Sequence, residues 1–313
     1  MEPLNALDGR LAAVWYPFAD DEPGPGITDV VGVLSVGWDA VTVMTAASGP
    51  LTLPRTDVVA ARAMPGPGCR AEVDRLDGLC ADAWPPPVER ALGAWRLRSA
   101  GGWSRRASSA LAVGDPGVPV ASALDEVRAF AAEHGTAPRV RVATGSPADD
   151  AVSGIGWVPD TGHERGPGVS VLVAPLAPLA DDWGPDATVR DRPDGGWWRP
   201  GRPGALRPPA PSRAARRVLD PGPALRVGFV AVLDLHGTPE PTTGRLRAAV
   251  VDDHLHLSCL AGAVDDRDIT ALIATAAHWG RGHGAEWAVV QCATYGLAGF
   301  VEHHRCRYLV PPP

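Results

Sequence analysis

The sequence contains no lysine: among its 313 residues all 29 basic side chains are arginine. A Schiff-base lysine and the lysine of a G-x-x-x-x-G-K-[ST] phosphate loop are therefore excluded. No apolar run approaches the roughly 20 residues needed to cross a bilayer, so no membrane contact is expected. The start, MEPLNALDGR, lacks a basic segment followed by an apolar core, and no secretory signal is read there. The cysteines are Cys69, Cys80, Cys259, Cys292 and Cys306; they form no C-x-x-C pair and are odd in number. Reduced thiols in a cytoplasmic protein fit that pattern. Positive charge is also in deficit. The net charge is −7, and residues 1–64 hold three Arg against eight acidic residues. Such a surface repels a phosphate backbone, so no nucleic-acid partner is expected.

Glycine and proline, by contrast, are abundant at 36 and 33 residues, and they punctuate the chain. Residues 10–64 read as short strands separated by turns such as Gly37-Trp38-Asp39, the pattern of a small β-barrel. MPGPG at 64–68 marks a boundary, giving domains 1–66 and 67–313. Beyond it, RAEVDRLDGLCADAW has helical spacing and is stopped by the prolines at 85–87. Residues 119–134 form a second helix: Val118-Pro119 opens it, Leu124, Val127 and Phe130 share a face, and Gly135 closes it. PRVRVAT and GVSVLVAPL read as strands. Residues 181–211 have low apolar content and dense Pro/Gly, which predicts a long loop or disorder. After a short helix, SRAARRVLD, come three strands, a helix at 266–279, a strand at 286–291 and a terminal strand. The fold class is α+β.

Two further blocks carry a resemblance. Tyr295-x-x-x-Gly299-Phe300 precedes the last strand, and WRLRSAGGWSRRASSALAVGDPGVPV occupies residues 95–120. Together with the strand–helix–strand order, they resemble the GNAT superfamily of N-acetyltransferases, in a bacterial branch some of whose members carry an N-terminal SH3-like barrel. The resemblance spans nearly the whole chain. It implies a GNAT-like mixed sheet and transfer of an acetyl group from acetyl-CoA to an amine of a small molecule or protein. It implies that Tyr295 is the acid for the departing thiolate, and that Leu260, Ala261 and Gly262 offer backbone groups to the pantetheine arm, with Arg267 near the phosphates. The family's phosphate loop, [QR]-x-x-G-x-[GA], is absent. In its place stand Asp265, Asp266 and Asp268, which cap a helix start but repel a pyrophosphate. The alternative function is therefore a catalytically degenerate binding module, its N-terminal barrel docking a protein partner.

Other side chains have weaker claims. Asp253 or His254 serves as base if its strand opens on a cleft. His254 and His256 alternate on one face of a strand. With His303 or His304 they have no convincing ligand spacing, so they read as surface histidines and no metal is expected. Arg105 and Arg106 follow a Gly-Gly turn and read as solvated charges. Trp197-Trp198 reads as a lid or as an anchor for the loop around it.

Overall fold

The computed structural model describes residues 4–8, 11–18, 26–45, 49–63, 70–162, 166–181, 187–198, 212–232, 244–262, 266–292, 297 and 299–313. The chain forms two compact units, Met1–Val73 and Asp74–Pro313. The first is an antiparallel sheet of β1 (Leu11–Phe18), β2 (Gly26–Val36), β3 (Ala40–Thr45), β4 (Gly49–Pro54) and β5 (Ala60–Ala63), in the order β4-β3-β2-β1-β5. Alternate residues Ala12, Val14, Val41 and Val43 line its core, together with Leu7, Leu34, Leu53 and Ala61. Gly32 allows β2 to press against β3, because a Cβ there would lie 2.4 Å from the Met44 carbonyl oxygen. The expected SH3-like barrel is not confirmed: among the described residues the sheet is unclosed, its edge strands β4 and β5 not bonded to each other. The linker expected at 64–68 lies outside the described residues.

The larger unit carries most of α1 (Arg70–Asp82), followed by β6 (Val88–Leu92), β7 (Trp95–Ser99), β8 (Ala110–Leu111), α2 (Val120–Glu133), β9 (Val140–Ala143), α3 (Pro147–Gly154), β10 (Val158–Pro159) and β11 (Gly168–Pro175). Next come α4 (Leu176–Asp181), β12 (Ala187–Arg190), α5 (Gly195–Trp198), α6 (Arg213–Leu219), β13 (Arg226–Val232), β14 (Gly244–Val251), β15 (His254–Gly262), α7 (Asp266–Arg281), β16 (Trp287–Cys292) and β17 (Val301–Val310). One sheet runs through the unit in the order β12-β13-β14-β15-β16-β11-β17-β9-β8-β7-β6.

That order contains a duplication. β6, β7 and β8 are antiparallel neighbours; α2 then crosses to β9, which is parallel to β8. β13, β14 and β15 repeat the pattern, and α7 crosses to β16, parallel to β15. Parallel neighbours require such a crossover. Each half then exchanges its final strand: β11 pairs with β16 of the second half, and β17 with β9 of the first. β11 and β17 meet antiparallel at the centre. The strands at 286–291 and at the terminus are therefore not a hairpin, as β11 lies between them.

The two crossover helices cover apolar layers of the sheet. Leu124, Val127 and Phe130 of α2 pack on Trp95, Leu97, Val140 and Val142. Leu272, Ile273 and Ala276 of α7 pack on Leu246, Ala248, Leu255 and Leu257. The expectation of a long loop at 181–211 is corrected in part. Within that segment β12 forms and pairs with β13 beyond it, and Trp197, only 2% exposed, packs edge-on against Phe229. Burying an indole outweighs the Pro/Gly content around it. Residues 182–186 and 199–211 lie outside the described residues. No helix among the described residues is long and apolar enough to cross a membrane.

The exchange makes β17 a neighbour of both halves. Deleting residues 301–313 is expected to abolish the cooperative urea transition of the larger unit and not merely to lower its midpoint. A cooperative transition of undiminished steepness after the deletion would contradict the exchange.

Candidate active site

The side of the sheet opposite the apolar layers is polar, and it is buried. Strand alternation sends Arg98, Arg141, Arg247, His254, His256, Ser258 and Gln291 there, away from neighbours such as Leu97, Val142 and Leu257. Arg98 donates from Nη1 to the Arg106 carbonyl (2.9 Å) and from Nη2 to the carbonyls of Ala81 (3.2 Å) and Trp84. Arg247 donates from Nη1 to the Ala83 carbonyl (2.9 Å) and from Nε to that of Leu219 (2.8 Å). The C-terminal end of α1 and the residues after it are thus gripped by one arginine from each half. Helix-end carbonyls carry partial negative charge, which suits a guanidinium. Burial pulls both arginines down to about 10, still protonated at neutral pH.

Arg141 makes the third contact to α1, donating Nη2–H to Asp77 and lying 3.2 Å from the Cys306 sulfur. Burial alone would raise the Asp77 pKa, but Arg141 beside it, with His304, holds it below the usual carboxylate value. Asp77, His304 and Cys306 offer ligand atoms within 4.8 Å of one another. The Arg141 guanidinium already stands against two of those ligands as their cation, and burial pushes the Cys306 thiol up, away from the thiolate a metal needs. The expectation of surface histidines is corrected: His254, His256 and His303 are each 1% exposed, since α1 and the 99–109 segment cover the face they occupy. Burial keeps all three neutral, joined at His256 by Arg106, Arg247 and Arg141 and at His303 by His304.

A break in the sheet lies next to this layer. β15 and β16 pair in parallel from His254↔Trp287 to Leu257↔Val290, and no further. Beyond that point β15 stays paired only with β14, through a bulge: Arg247 faces Ser258 and Arg245 faces Ala261, so two residues oppose one. Cys259 in the bulge has φ +59°, a conformation that a non-glycine residue adopts at a cost of about 1–3 kcal/mol. The splayed segment ends in Leu260, 38% exposed, then Ala261 and Gly262. Across the break, Arg106 donates to the Gln291 carbonyl at 3.2 Å and lies 5.0 Å over the Trp84 ring. Arg105 donates to the Gly166 carbonyl (2.8 Å) and reaches Asp160. Neither is the solvated turn charge expected from the Gly-Gly turn.

The candidate residues do not all converge. Leu260, Ala261 and Gly262 form the splayed edge. Asp253 and His254 sit at the paired end of the same strand, about 20 Å away at 3.3 Å per residue. Asp253 accepts from His254 Nδ1 (2.7 Å) and Arg75 (3.2 Å), while His254 Nε2 is buried without a partner. Burial would raise the Asp253 pKa, but His254 and Arg75 bring it below the ordinary value. Arg267 is exposed near the start of α7. Tyr295 lies outside the described residues, as does Asp265. Of its motif, Gly299 is described, with φ +79°, a turn into β17 that glycine takes without strain. Phe300 packs on the apolar layer under α7. Asp77, Arg98, Arg141 and Arg247 were missed from the sequence, although R-L-R at 96–98 and at 245–247 carried a usable signal for two of them. Arginines two apart in a strand share one face.

Two measurements probe this layer. Arg141→Met leaves the Asp77 carboxylate buried without its partner and is expected to cost about 3–5 kcal/mol in urea unfolding; Asp77→Ala in the same chain should recover much of that loss. A single variant as stable as the native protein would contradict the buried pair. Burial and His304 pull His303 down to about 4, whereas the unfolded chain takes up that proton near pH 6.5. The stability this neutral imidazole supplies is complete above about pH 6.5 and is lost as pH falls toward about 4. Tm should drop across that window, and His303→Gln should flatten the drop.

The family described as "Probable histone acetyltransferase Rv0428c C-terminal" matches residues 70–309. No curated protein matches the sequence. Similar solved structures include a conserved protein of unknown function from Staphylococcus epidermidis, 8% identical, covering 72% of this chain and 92% of that one at TM-score 0.43. A tandem GNAT protein from the clavulanic acid biosynthesis pathway is 15% identical, covering 78% and 89% at TM-score 0.45. A GCN5-related N-acetyltransferase from Sphaerobacter thermophilus is 12% identical, covering 56% and 60% at TM-score 0.36. With most of the larger unit inside the matched region, the chain belongs to the Rv0428c C-terminal family and, through it, to the GNAT superfamily.

Proposed function

We propose that the chain is an N-acetyltransferase that moves an acetyl group from acetyl-CoA to an amine, with the break between β15 and β16 as its donor site. The bulge at Cys259 is the observation that carries this reading. A strained residue placed where strand pairing ends turns backbone groups outward at a cost in stability, as functional sites do. The backbone of Leu260, Ala261 and Gly262 supplies strand-like hydrogen bonds to the pantetheine arm, and the exposed Leu260 side chain gives it an apolar wall. Acetyl-CoA brings the activated acyl group. The amine nitrogen bonds to the acyl carbon as the C–S bond breaks. Tyr295, on the segment leading into β17, donates its phenolic proton to the departing sulfur, and the proton the amine gives up passes to solvent, from which the phenol is restored. Asp253 and His254 take no part in this reading, because they lie at the other end of β15. The family description names a histone as acceptor; here the acceptor is assigned only as an amine.

A second reading, a fold that has lost catalysis and serves as a binding module, is favoured by one feature. α7 begins with Asp266 and Asp268 where a pyrophosphate needs converging N–H groups and no carboxylates.

Acetyl-CoA at about 100 times its dissociation constant should stabilise the protein by roughly 2.7 kcal/mol, read as a rise in Tm. No rise at millimolar acetyl-CoA favours the binding module. Given a rise, Tyr295→Phe should lower kcat by about 10²–10⁴-fold and leave the thermal shift nearly intact. An unchanged kcat would remove Tyr295 from the mechanism.

A further inference from the structure

A cavity of about 290 Å³ lies between α6 and the segment around α5. Arg192, Arg213, Arg216, Arg217, Trp198 and Asp220 line it. The four guanidiniums are exposed, and among the described residues none of them forms an ion pair. Of the nearby acids, Asp194 pairs with Arg190 and accepts the Trp197 N–H at 2.8 Å, while Asp220 lies in the lining itself and leaves the four arginines in excess. Arg216 lies 5.0 Å over the Trp198 ring, which fixes one guanidinium against an aromatic wall. Charges of one sign around a concavity focus the field into it and concentrate counter-ions there. Planar guanidinium forks match phosphate oxygens two at a time, and the Trp198 indole in the lining offers contact to a planar group.

The cavity is tied to the splayed strand. Trp197, beside Trp198, donates its Nε1–H to the Leu246 carbonyl at 3.4 Å, and its own carbonyl accepts from Arg245 at 2.6 Å. Arg245 stands opposite Ala261, inside the proposed donor site. We propose that this cavity binds a phosphate-bearing small molecule, its phosphate held by Arg192, Arg213, Arg216 and Arg217 and its planar part against Trp198, and that this molecule is the acceptor amine. The acceptor half of the proposal rests on the acyl-transfer reading; the anion site does not. A lysine-rich peptide would meet four like charges there and be repelled.

The test uses the full chain with inorganic pyrophosphate as probe, followed by calorimetry and thermal shift at low and high salt. Native protein should bind pyrophosphate, more weakly at high salt. Arg213→Glu/Arg217→Glu, and separately Arg192→Glu on the opposite wall, should each lower that affinity by roughly tenfold or more, with the circular dichroism spectrum unchanged. The Tm rise with acetyl-CoA should persist in both variants. Absence of pyrophosphate binding by the native protein, or undiminished binding by both variants, overturns the site. Loss of the acetyl-CoA shift in the variants means that the cavity takes the donor's own phosphates, and overturns the acceptor assignment. If pyrophosphate behaves as stated and acetyl-CoA has no effect even on the native protein, the anion site stands and its acceptor role falls with acyl transfer.

Discussion

Two arginines, one from each half of a duplicated sheet, hold the end of α1. Arg98 and Arg247 occupy matching positions on β7 and β14, and both spend their donors on carbonyls between Ala81 and Trp84. Burying a guanidinium costs several kcal/mol unless its donors find partners. Helix-end carbonyls are such partners, and they too would be costly to bury alone. The constraint works in both directions: the arginines need the helix end, and the helix end needs the arginines. Arg141 and Asp77 extend it one turn back along α1.

The consequences reach the strand break. Because the end of α1 is fixed over the polar face, Trp84 stacks with Trp103 at 5.8 Å and provides the surface for Arg106 and Arg247. Arg106 then satisfies the Gln291 carbonyl where β16 has lost β15 as a neighbour. A buried carbonyl at an opened strand pair would otherwise lack a partner. The break is therefore built into the structure, and the bulge at Cys259 marks its other bank. The basic cavity behind Trp197 joins the same bank through Arg245.

Local pattern carried much of this into the sequence, and non-local pairing carried the rest out of reach. α2 was legible because a proline, an apolar stripe through Leu124, Val127 and Phe130, and a closing glycine agree on one answer. The strand–helix–strand order around α7 was legible for the same reason, and so was the superfamily. The exchange of β11 and β17 was not. GVSVLVAPL announces a strand, but nothing local says that its neighbours are β16 and β17. The buried histidines were misjudged because alternation assigns a face and not what covers it; α1 comes from more than 170 residues away in the chain. For Trp197-Trp198 the Pro/Gly surroundings left lid and anchor both open, and the burial of Trp197 fits the anchor. The matching arginines were readable in principle, since WRLRSA and GRLRAA repeat the same spacing in the two halves.

The account stands most directly on the claim that the outer end of β15 receives a ligand. Hydrogen–deuterium exchange of its backbone, with and without acetyl-CoA, measures this. Slower exchange confined to the amides of residues 259–262, with residues 254–257 unchanged, is the predicted result. Unaltered exchange at 259–262 under saturating acetyl-CoA would contradict the account.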